Sequence, residues 1–217
     1  MIELGLKFTL AYLLGSVLGS LVVGFIKGGV DIRSVGSGNA GGTNALRTQG
    51  RWFALWVMVI DVGKGILAVI VIPPLIIPGV GLDPQIDRGL VLYAAAIGAI
   101  VGHVFPVWFG FRGGKGGATA AGVLVYFAPA VAVPVIGAWL AIVVLTGFVG
   151  LATMIGALAA VAYIGVTRLP EEHGFFLFAC IVALLLIYTH RGNIRRMLNG
   201  TESRFARPLF GRLSGGK

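Results

Sequence analysis

Charged residues are scarce in this 217-residue chain, and so are the residues that build disulfides and metal sites. Asp, Glu, Lys and Arg make up 12% of the sequence, about half of the share usual in soluble domains. The single Cys180 excludes a disulfide framework and a thiolate metal site, and the three histidines are too far apart to suggest a metal cluster. We therefore expect a protein that is not a soluble domain and that uses neither a metal nor a cofactor.

Apolar residues, in contrast, make up 57% of the chain, and the mean hydropathy is +0.95. They fall into seven blocks, at residues 4–26, 52–77, 89–108, 118–130, 133–145, 151–166 and 175–188. A helix needs about 20 residues to cross a bilayer, and helices satisfy every backbone polar group in hydrocarbon. The sequence therefore predicts an all-α integral membrane protein with seven transmembrane segments, built as a single domain over residues 1–217. We expect the first block to be a retained span and not a cleaved signal peptide.

The fourth and fifth blocks are short for complete crossings. Pro129 and Pro134 lie between them and are expected to break the helix. The two blocks are then either two tilted or bent spans, or one hairpin that enters the membrane and turns back. Either path returns the chain to the side that it left.

The charges that are present are mostly basic, with a net charge of +9. In a soluble protein this excess would indicate nucleic acid, but in a membrane protein basic residues collect in cytoplasmic connections. They lie in connections 27–51 and 109–117 and in a tail from about residue 190, which holds Arg191, Arg195, Arg196, Arg204, Arg207, Arg212 and Lys217. We therefore expect Met1 outside, the C-terminus in the cytoplasm and no nucleic-acid partner.

Two glycine-rich stretches lie in these basic connections, "GSGNAGGTN" at residues 36–44 and "GFRGGKGGAT" at residues 110–119. The first fits G-x-G-x-x-G, but a dinucleotide site also needs a strand–turn–helix unit, and none is predicted here. The second resembles a P-loop, but Phe109 replaces its first glycine and Gly116 replaces its metal-binding hydroxyl. We therefore reject both nucleotide-binding interpretations.

Both stretches remain suited to binding an anion. Glycines let backbone N–H groups approach an anion closely, and a helix that begins after the loop presents its positive end. Close helix packing is the structural alternative for the glycines. We favour phosphate binding, because donors and cations alternate with the glycines. The candidate ligands are Gly36, Ser37, Gly38, Asn39, Thr43 and Asn44 in the first stretch, Arg47 just beyond it, and Arg112, Gly113, Gly114, Lys115, Gly116 and Gly117 in the second.

Five further polar residues lie within or at the ends of apolar blocks. Asp61 and Lys64 share a helix face and act either as a self-neutralising pair or in the site itself. His103 precedes a proline by three residues, which favours a structural hydrogen bond over a role in the site. His190 and Asn193 share a face if the seventh block continues as a helix. They form either a catalytic pair or a helix-end contact that offsets the dipole.

Four stretches carry a family resemblance: "GSGNAGGTN" at 36–44, "DVGKG" at 61–65, "GHVFPVWFGFRGGKGGAT" at 102–119 and "HRGNIRRMLNGTE" at 190–202. In this order they resemble the motifs of the PlsY-type acyl-phosphate:glycerol-3-phosphate acyltransferases. The resemblance implies seven spans in the bacterial cytoplasmic (inner) membrane, with the motifs on the cytoplasmic face. It also implies transfer of a fatty acyl group from acyl phosphate to the 1-hydroxyl of glycerol 3-phosphate. The products would be inorganic phosphate and lysophosphatidic acid, for phospholipid synthesis.

The resemblance also implies roles for single residues. Ser37 and Arg47 match a functional serine and arginine of the first motif. Lys115 matches a phosphate-binding lysine in a loop whose glycines bind glycerol 3-phosphate. His190 and Asn193 match the essential pair of the third motif.

One further residue matches the family pattern, and two positions depart from it. Glu202 matches an acid that is expected to hold the third motif in place. Arg112 replaces the more usual lysine, which keeps the charge but changes the geometry. Around residues 145–154 the family commonly carries an arginine and serines, whereas this chain has Gly147 and Gly150 there. A substrate contact from this connection is therefore not among our expectations.

Our mechanistic hypothesis is direct acyl transfer, because acyl phosphate is already activated. Cations and inward N–H groups would neutralise the leaving phosphate and the developing oxyanion, and binding both substrates adds proximity. The proton acceptor is either His190 or the departing phosphate. A membrane transporter or channel for an organic phosphate is the alternative function, but such proteins bind at mid-bilayer. An acyl-CoA-dependent enzyme would carry H-x-x-x-x-D, a pattern that this sequence lacks.

Overall fold

The computed structural model describes residues 1–205, and the regular secondary structure of this part of the chain is all helical, without strands. Arg207, Arg212 and Lys217 of the predicted basic tail lie outside the described residues. The chain divides into two compact units, Met1–Phe127 and Ala128–Lys217. The helices of the first unit are α1 (Ile2–Gly15), α2 (Gly19–Ile26), α3 (Gly42–Gln49), α4 (Arg51–Val71), α5 (Arg88–Val104) and α6 (Gly117–Phe127). Those of the second are α7 (Pro129–Thr146), α8 (Val149–Arg168), α9 (His173–Thr189) and α10 (Arg191–Leu198).

Several of these helices are long and apolar enough to cross a bilayer. Within residues 1–205, four qualify alone: α4, α5 with the turn that follows it, α7 and α8. The pairs α1–α2 and α9–α10 qualify as bent spans, with bends of 41° and 52°, which raises the number to six. Helix α6 is apolar but has only 11 residues. The all-α membrane fold is thus confirmed, whereas the number of seven spans stays a prediction.

The break between the fourth and fifth blocks lies at the first of the two expected prolines, Pro129, and not at Pro134. Helix α7 has 18 residues and contains Pro134, so the prediction that the fifth block is short was wrong. The chain breaks at Ala128 instead, because a residue before proline avoids the helical conformation and Pro129 suits a first helical position. Pro134 removes only one backbone hydrogen bond, near the start of the helix, and the helix tolerates this loss.

Glycines set the spacing of two helix pairs in the first unit. A Cβ atom at Gly15 of α1 would overlap the backbone of Ala99 in α5. A Cβ atom at Gly65 of α4 would overlap the carbonyl of Thr119 in α6. Small residues of this kind allow helix backbones to approach closely where lipid gives no hydrophobic driving force.

A buried ionic network closes one end of the first unit. Glu3 and Lys7, both buried in α1, form an ion pair with a distance of 2.7 Å between Oε1 and Nζ. Arg88 at the start of α5 donates to both oxygens of Glu3, and the Asp83 N–H donates to Oε2. The amino terminus bonds Asp83 as well. These contacts fix the start of α1 to the connection between α4 and α5. The glycine-rich stretches lie at the opposite ends of α4 and α5.

Candidate active site

The first glycine-rich stretch is a loop that is folded around the side chain of Asn44. The Asn44 amide nitrogen donates to the carbonyls of Ile32, Val35 and Asn39, at 2.9 to 3.1 Å, and its oxygen accepts from the Ser37 N–H. A Cβ atom at Gly36 would overlap this oxygen, which explains the glycine. Asn44, expected as a phosphate ligand, thus has its hydrogen bonds inside the loop and supports the loop's shape.

A short helix follows this loop and was not expected. We expected the second membrane span to begin after the loop, but α3 comes first and starts at Gly42. Its eight residues are mostly polar, so a search for apolar blocks passes over them. Thr43 and Arg47 lie one turn apart on α3, and Arg47 is exposed together with Ser37 and Gly38 of the loop. Ser37 and Arg47, two of the side chains expected to bind phosphate, are thus at the surface of this loop and helix.

Asn39 also acts within the loop. Its side-chain oxygen accepts from the Gly41 N–H at 2.9 Å, which forms a tight turn directly before α3. The side-chain nitrogen of this amide remains as a donor.

The second glycine-rich stretch is fastened to the end of α5. The Gly113 N–H donates to the Val104 carbonyl and the Gly114 N–H to the His103 carbonyl, at 3.2 and 3.0 Å. A Cβ atom at Gly114 would overlap the His103 ring, so a side chain does not fit there. These two N–H groups therefore cap α5 and do not point at an anion, contrary to the expectation that all four glycines present their N–H groups.

The start of α6 is the part of this stretch that suits an anion. Gly116 has a φ of +87°, a conformation that favours glycine, and it turns the chain into α6 at Gly117. The first-turn N–H groups of a helix have no partners within the helix and carry its positive partial charge. Lys115 is half-buried directly before this turn, and Arg112 is exposed.

A buried polar cluster lies beneath the second stretch. The Lys64 ammonium contacts Asp61 Oδ1 at 3.1 Å, His103 Nδ1 at 2.9 Å and the Val17 carbonyl at 2.6 Å. Asp61 Oδ1 is 3.4 Å from the same His103 nitrogen. The shorter contact comes from an ammonium, which can only donate, so Nδ1 accepts and the proton of a neutral His103 ring is on Nε2. Asp61 and Lys64 thus form the expected pair, and His103 connects that pair to Gly114.

The two glycine-rich stretches are held together by residues that the sequence analysis did not select. Arg33 binds Asp31 through Nε and Nη2, while its Nη1 donates to the carbonyls of Phe109 and Arg112 at 3.1 and 3.0 Å. Hydrogen bonds from this guanidinium hold the pKa of the Asp31 carboxyl below its usual value. The sequence signal was the "DIR" triplet directly before the first glycine-rich stretch.

The third motif forms a cluster within the second unit. Glu202 accepts hydrogen bonds from Asn193 Nδ2 and from Arg196 Nε, both at 2.6 Å. A Cβ atom at Gly150 would come within 2.8 Å of Asn193 Nδ2, so the glycine in this departure from the family pattern makes room for the asparagine. Glu202 thus makes the hydrogen bonds to α10 that it needs to hold the third motif in place.

His190 lies at the bend between α9 and α10 and is buried. Its Nδ1 is 2.7 Å from the Leu186 carbonyl. A carbonyl only accepts, so Nδ1 carries a proton and Nε2 of the neutral ring has a lone pair. This tautomer is the one that a proton acceptor at Nε2 needs.

Comparison with known proteins gives consistent matches along almost the whole chain. The family model described as "Glycerol-3-phosphate acyltransferase" matches residues 6–200. The glycerol-3-phosphate acyltransferase of Chlorobaculum parvum is 38% identical over 227 residues, with 95% of this chain and 97% of the relative covered. That of Chlorobaculum tepidum is 38% identical over 223 residues, with 93% and 95% covered.

Solved structures give the same result. The crystal structure of PlsY (YgiH), an integral membrane glycerol 3-phosphate acyltransferase, in its glycerol 3-phosphate form has a TM-score of 0.79 to this chain at 36% identity. The match covers 94% of this chain and 96% of that one. The lysophosphatidic acid form has a TM-score of 0.77, also at 36% identity, with 95% and 96% covered. The chain is therefore a multi-pass membrane protein that belongs to the glycerol-3-phosphate acyltransferase family.

Proposed function

We propose that this protein transfers a fatty acyl group from acyl phosphate to the 1-hydroxyl of sn-glycerol 3-phosphate. The products are lysophosphatidic acid and inorganic phosphate, and the reaction serves bacterial phospholipid synthesis. The observation that carries the proposal is the joining of two basic, glycine-rich stretches at one end of the first unit. The solved relatives with glycerol 3-phosphate and lysophosphatidic acid support the choice of acceptor and product.

Both proposed substrates carry a phosphate, and the chain offers cations and N–H groups for them. Arg47 and Lys115, with the start of α6, bind phosphate oxygens, and the exposed Ser37 adds a hydroxyl donor. Electrostatic stabilisation of the leaving phosphate and of the carbonyl oxyanion contributes the largest share of the rate acceleration. The acyl chain remains in the lipid.

The chemical step is a direct transfer. The 1-hydroxyl oxygen forms a bond to the acyl carbonyl carbon, and the bond from that carbon to the phosphate oxygen breaks. The hydroxyl proton goes either to Nε2 of His190 or to the departing phosphate, which is itself a base. The tautomer fixed by the Leu186 carbonyl leaves both routes available.

His190 and Asn193 of the second unit are the further residues that we propose for this reaction. Asn193, held by Glu202, binds substrate or orients His190. We also propose that α6 and the bent pairs complete seven spans, with Met1 outside and the site facing the cytoplasm. Basic residues near the glycine-rich stretches, and acidic ones at the end that holds Glu3 and Asp83, support this orientation.

Purified protein in detergent or liposomes tests the proposal. We expect inorganic phosphate to be released from palmitoyl phosphate only when glycerol 3-phosphate is present, and mass spectrometry to detect palmitoyl lysophosphatidic acid in equal amount. Flux of glycerol 3-phosphate across liposomes without product would support the transport alternative, which the comparisons do not favour. A dependence on acyl-CoA would contradict the proposed donor.

A further inference from the structure

Arg33 lies just before the first glycine-rich stretch, and its side chain bonds the backbone at the second, although it belongs to neither stretch. Its side chain is 20% exposed. Nε and Nη2 face the Asp31 carboxylate, with distances of 2.7 to 3.1 Å, and the Asp31 carboxylate also accepts from the Arg33 N–H. Nη1 donates to the Phe109 and Arg112 carbonyls, and the guanidinium lies 5.7 Å from the centre of the Phe109 ring.

These contacts fix the peptide group that enters the second stretch. Arg33 binds the carbonyl of Arg112, and the N–H of the same peptide group, on Gly113, donates to Val104. The peptide plane is therefore held on both sides. The next N–H, on Gly114, is held by His103, so the chain reaches Lys115 and the start of α6 in a defined direction.

The contacts fix the first stretch in the same way. The carbonyls of Ile32 and Val35, on either side of Arg33, both accept from the Asn44 amide. Arg33 is thus part of a segment whose backbone the first stretch holds, while its side chain holds the second. Two carbonyl oxygens that would repel a phosphate are turned toward the guanidinium at the same time.

We infer that Arg33, oriented by Asp31, is a positioning residue that sets the spacing between the two glycine-rich stretches, so that both can bind one phosphorylated substrate. The inference rests on the proposed function, for which the phosphate of glycerol 3-phosphate is the substrate group concerned. A shift of about 1 Å between binding groups can lower a rate a hundredfold, so a fixed spacing between the two stretches keeps the rate high. Arg33 does not touch substrate in this account.

A conservative substitution separates geometry from charge. Lysine keeps the positive charge, but its ammonium is a point charge. It cannot form the two parallel hydrogen bonds to the Asp31 carboxylate and at the same time donate to both carbonyls. If Arg33 positions the stretches, Arg33→Lys and Arg33→Gln both raise KM for glycerol 3-phosphate, by roughly tenfold to a hundredfold, with a smaller change in kcat. Asp31→Asn leaves the guanidinium in place and gives a smaller rise.

Arg88 provides a matched control at the opposite end of the first unit. Its guanidinium also donates to both carboxylate oxygens of Glu3 and to the backbone carbonyls of Asp83 and Ile86. Arg88→Gln removes the same kind of contacts, so it lowers thermal stability while KM for glycerol 3-phosphate stays within about twofold of the wild type.

A distance measurement gives a readout that does not depend on activity. Spin labels at Ser34 and Val107, in a Cys180→Ser background, report the separation of the segments that lead into the two stretches. We expect a narrow distance distribution in the parent protein and in Arg88→Gln, and a broad one in Arg33→Lys.

The outcomes distinguish the inference from the proposed function. A wild-type protein without glycerol 3-phosphate-dependent phosphate release contradicts the proposed function, and the spin-label distances then still test the contact. If the wild type is active, a wild-type KM in Arg33→Lys overturns the inference, because charge alone then suffices. An equal rise in KM in Arg88→Gln, or an unchanged distance distribution in Arg33→Lys, overturns it as well.

Discussion

At the scale of single residues, the site depends on side chains that shape backbone as much as on side chains that face substrate. Asn44 was expected to bind phosphate, and its amide instead bonds the backbone of its own loop. Gly114 was expected to offer an N–H to an anion, and it packs on His103. Residue type and motif position selected the two stretches. They could not assign these bonds, because backbone partners depend on the loop conformation.

Gly114 gives a prediction about this packing. We expect Gly114→Ala to lower activity at least tenfold, since the added methyl overlaps the buried His103 ring and displaces the stretch that carries Lys115. Gly63→Ala is the control, because a Cβ atom there meets no other atom and alanine favours the helix by up to about 1 kcal/mol. Initial rates of phosphate release compare the two variants, and equal rates would contradict the packing argument.

Asp31 gives a prediction about pH. Its pKa is lowered by the Arg33 hydrogen bonds, so its ionised form stabilises the folded protein above the ordinary value of about 3.9. That contribution is lost only as the pH falls through the lower, folded-state pKa. The difference in melting temperature between the wild type and Asp31→Asn should therefore be constant from pH 8 to pH 5 and shrink below about pH 4. A difference that shrinks already between pH 7 and pH 5 would show that the contact is absent.

At the scale of helices and connections, hydropathy predicted the apolar segments but did not predict the bends between consecutive helices. The first block was expected as one helix, but a bend of 41° divides it, and a bend of 52° follows directly after the seventh block. The second bend lies at His190, whose ring bonds the last turn of α9. Helix α3 was missed because it is polar, and Pro134 was taken as a break although α7 runs through it. Apolar composition measures transfer to lipid and contains little information on the direction of a helix axis.

The contact between α10 and Glu202 gives a prediction at this scale. Glu202→Gln keeps the size of the side chain but removes the charge that Asn193 and Arg196 share. We expect kcat to fall roughly tenfold, because hydrogen bonds to a charged group are stronger than neutral ones and Asn193 loses its fixed orientation. The exposed Glu171→Gln is the matched control and should retain wild-type kcat. Wild-type kcat in both variants would exclude the holding role of Glu202.

At the scale of the whole molecule, the charges separate along the first unit. The end with Glu3, Asp83 and Asp87 is rich in acids, whereas the end with the glycine-rich stretches is rich in Arg and Lys. This sorting was predicted from the sequence alone, because loop charge determines insertion. The joining of the two glycine-rich stretches through Arg33 could not be derived from it, since it depends on tertiary contacts that hydropathy and charge do not encode.

The proposed orientation is tested by cysteine labelling in cells that express Cys180→Ser protein. A cysteine at the exposed Gln85 should react with a membrane-impermeant maleimide in intact spheroplasts. One at the exposed Ser34 should react only after the membrane is permeabilised. The opposite pattern would invert the topology, and labelling of both in intact spheroplasts would exclude a membrane between the two ends.

The central claim is that the two glycine-rich stretches of the first unit form one phosphate-binding site. An experimental structure with glycerol 3-phosphate bound tests it most directly. The account predicts phosphate oxygens in hydrogen-bond contact with Lys115 and the start of α6, with Ser37 lining the same site. A ligand bound away from these groups would contradict it.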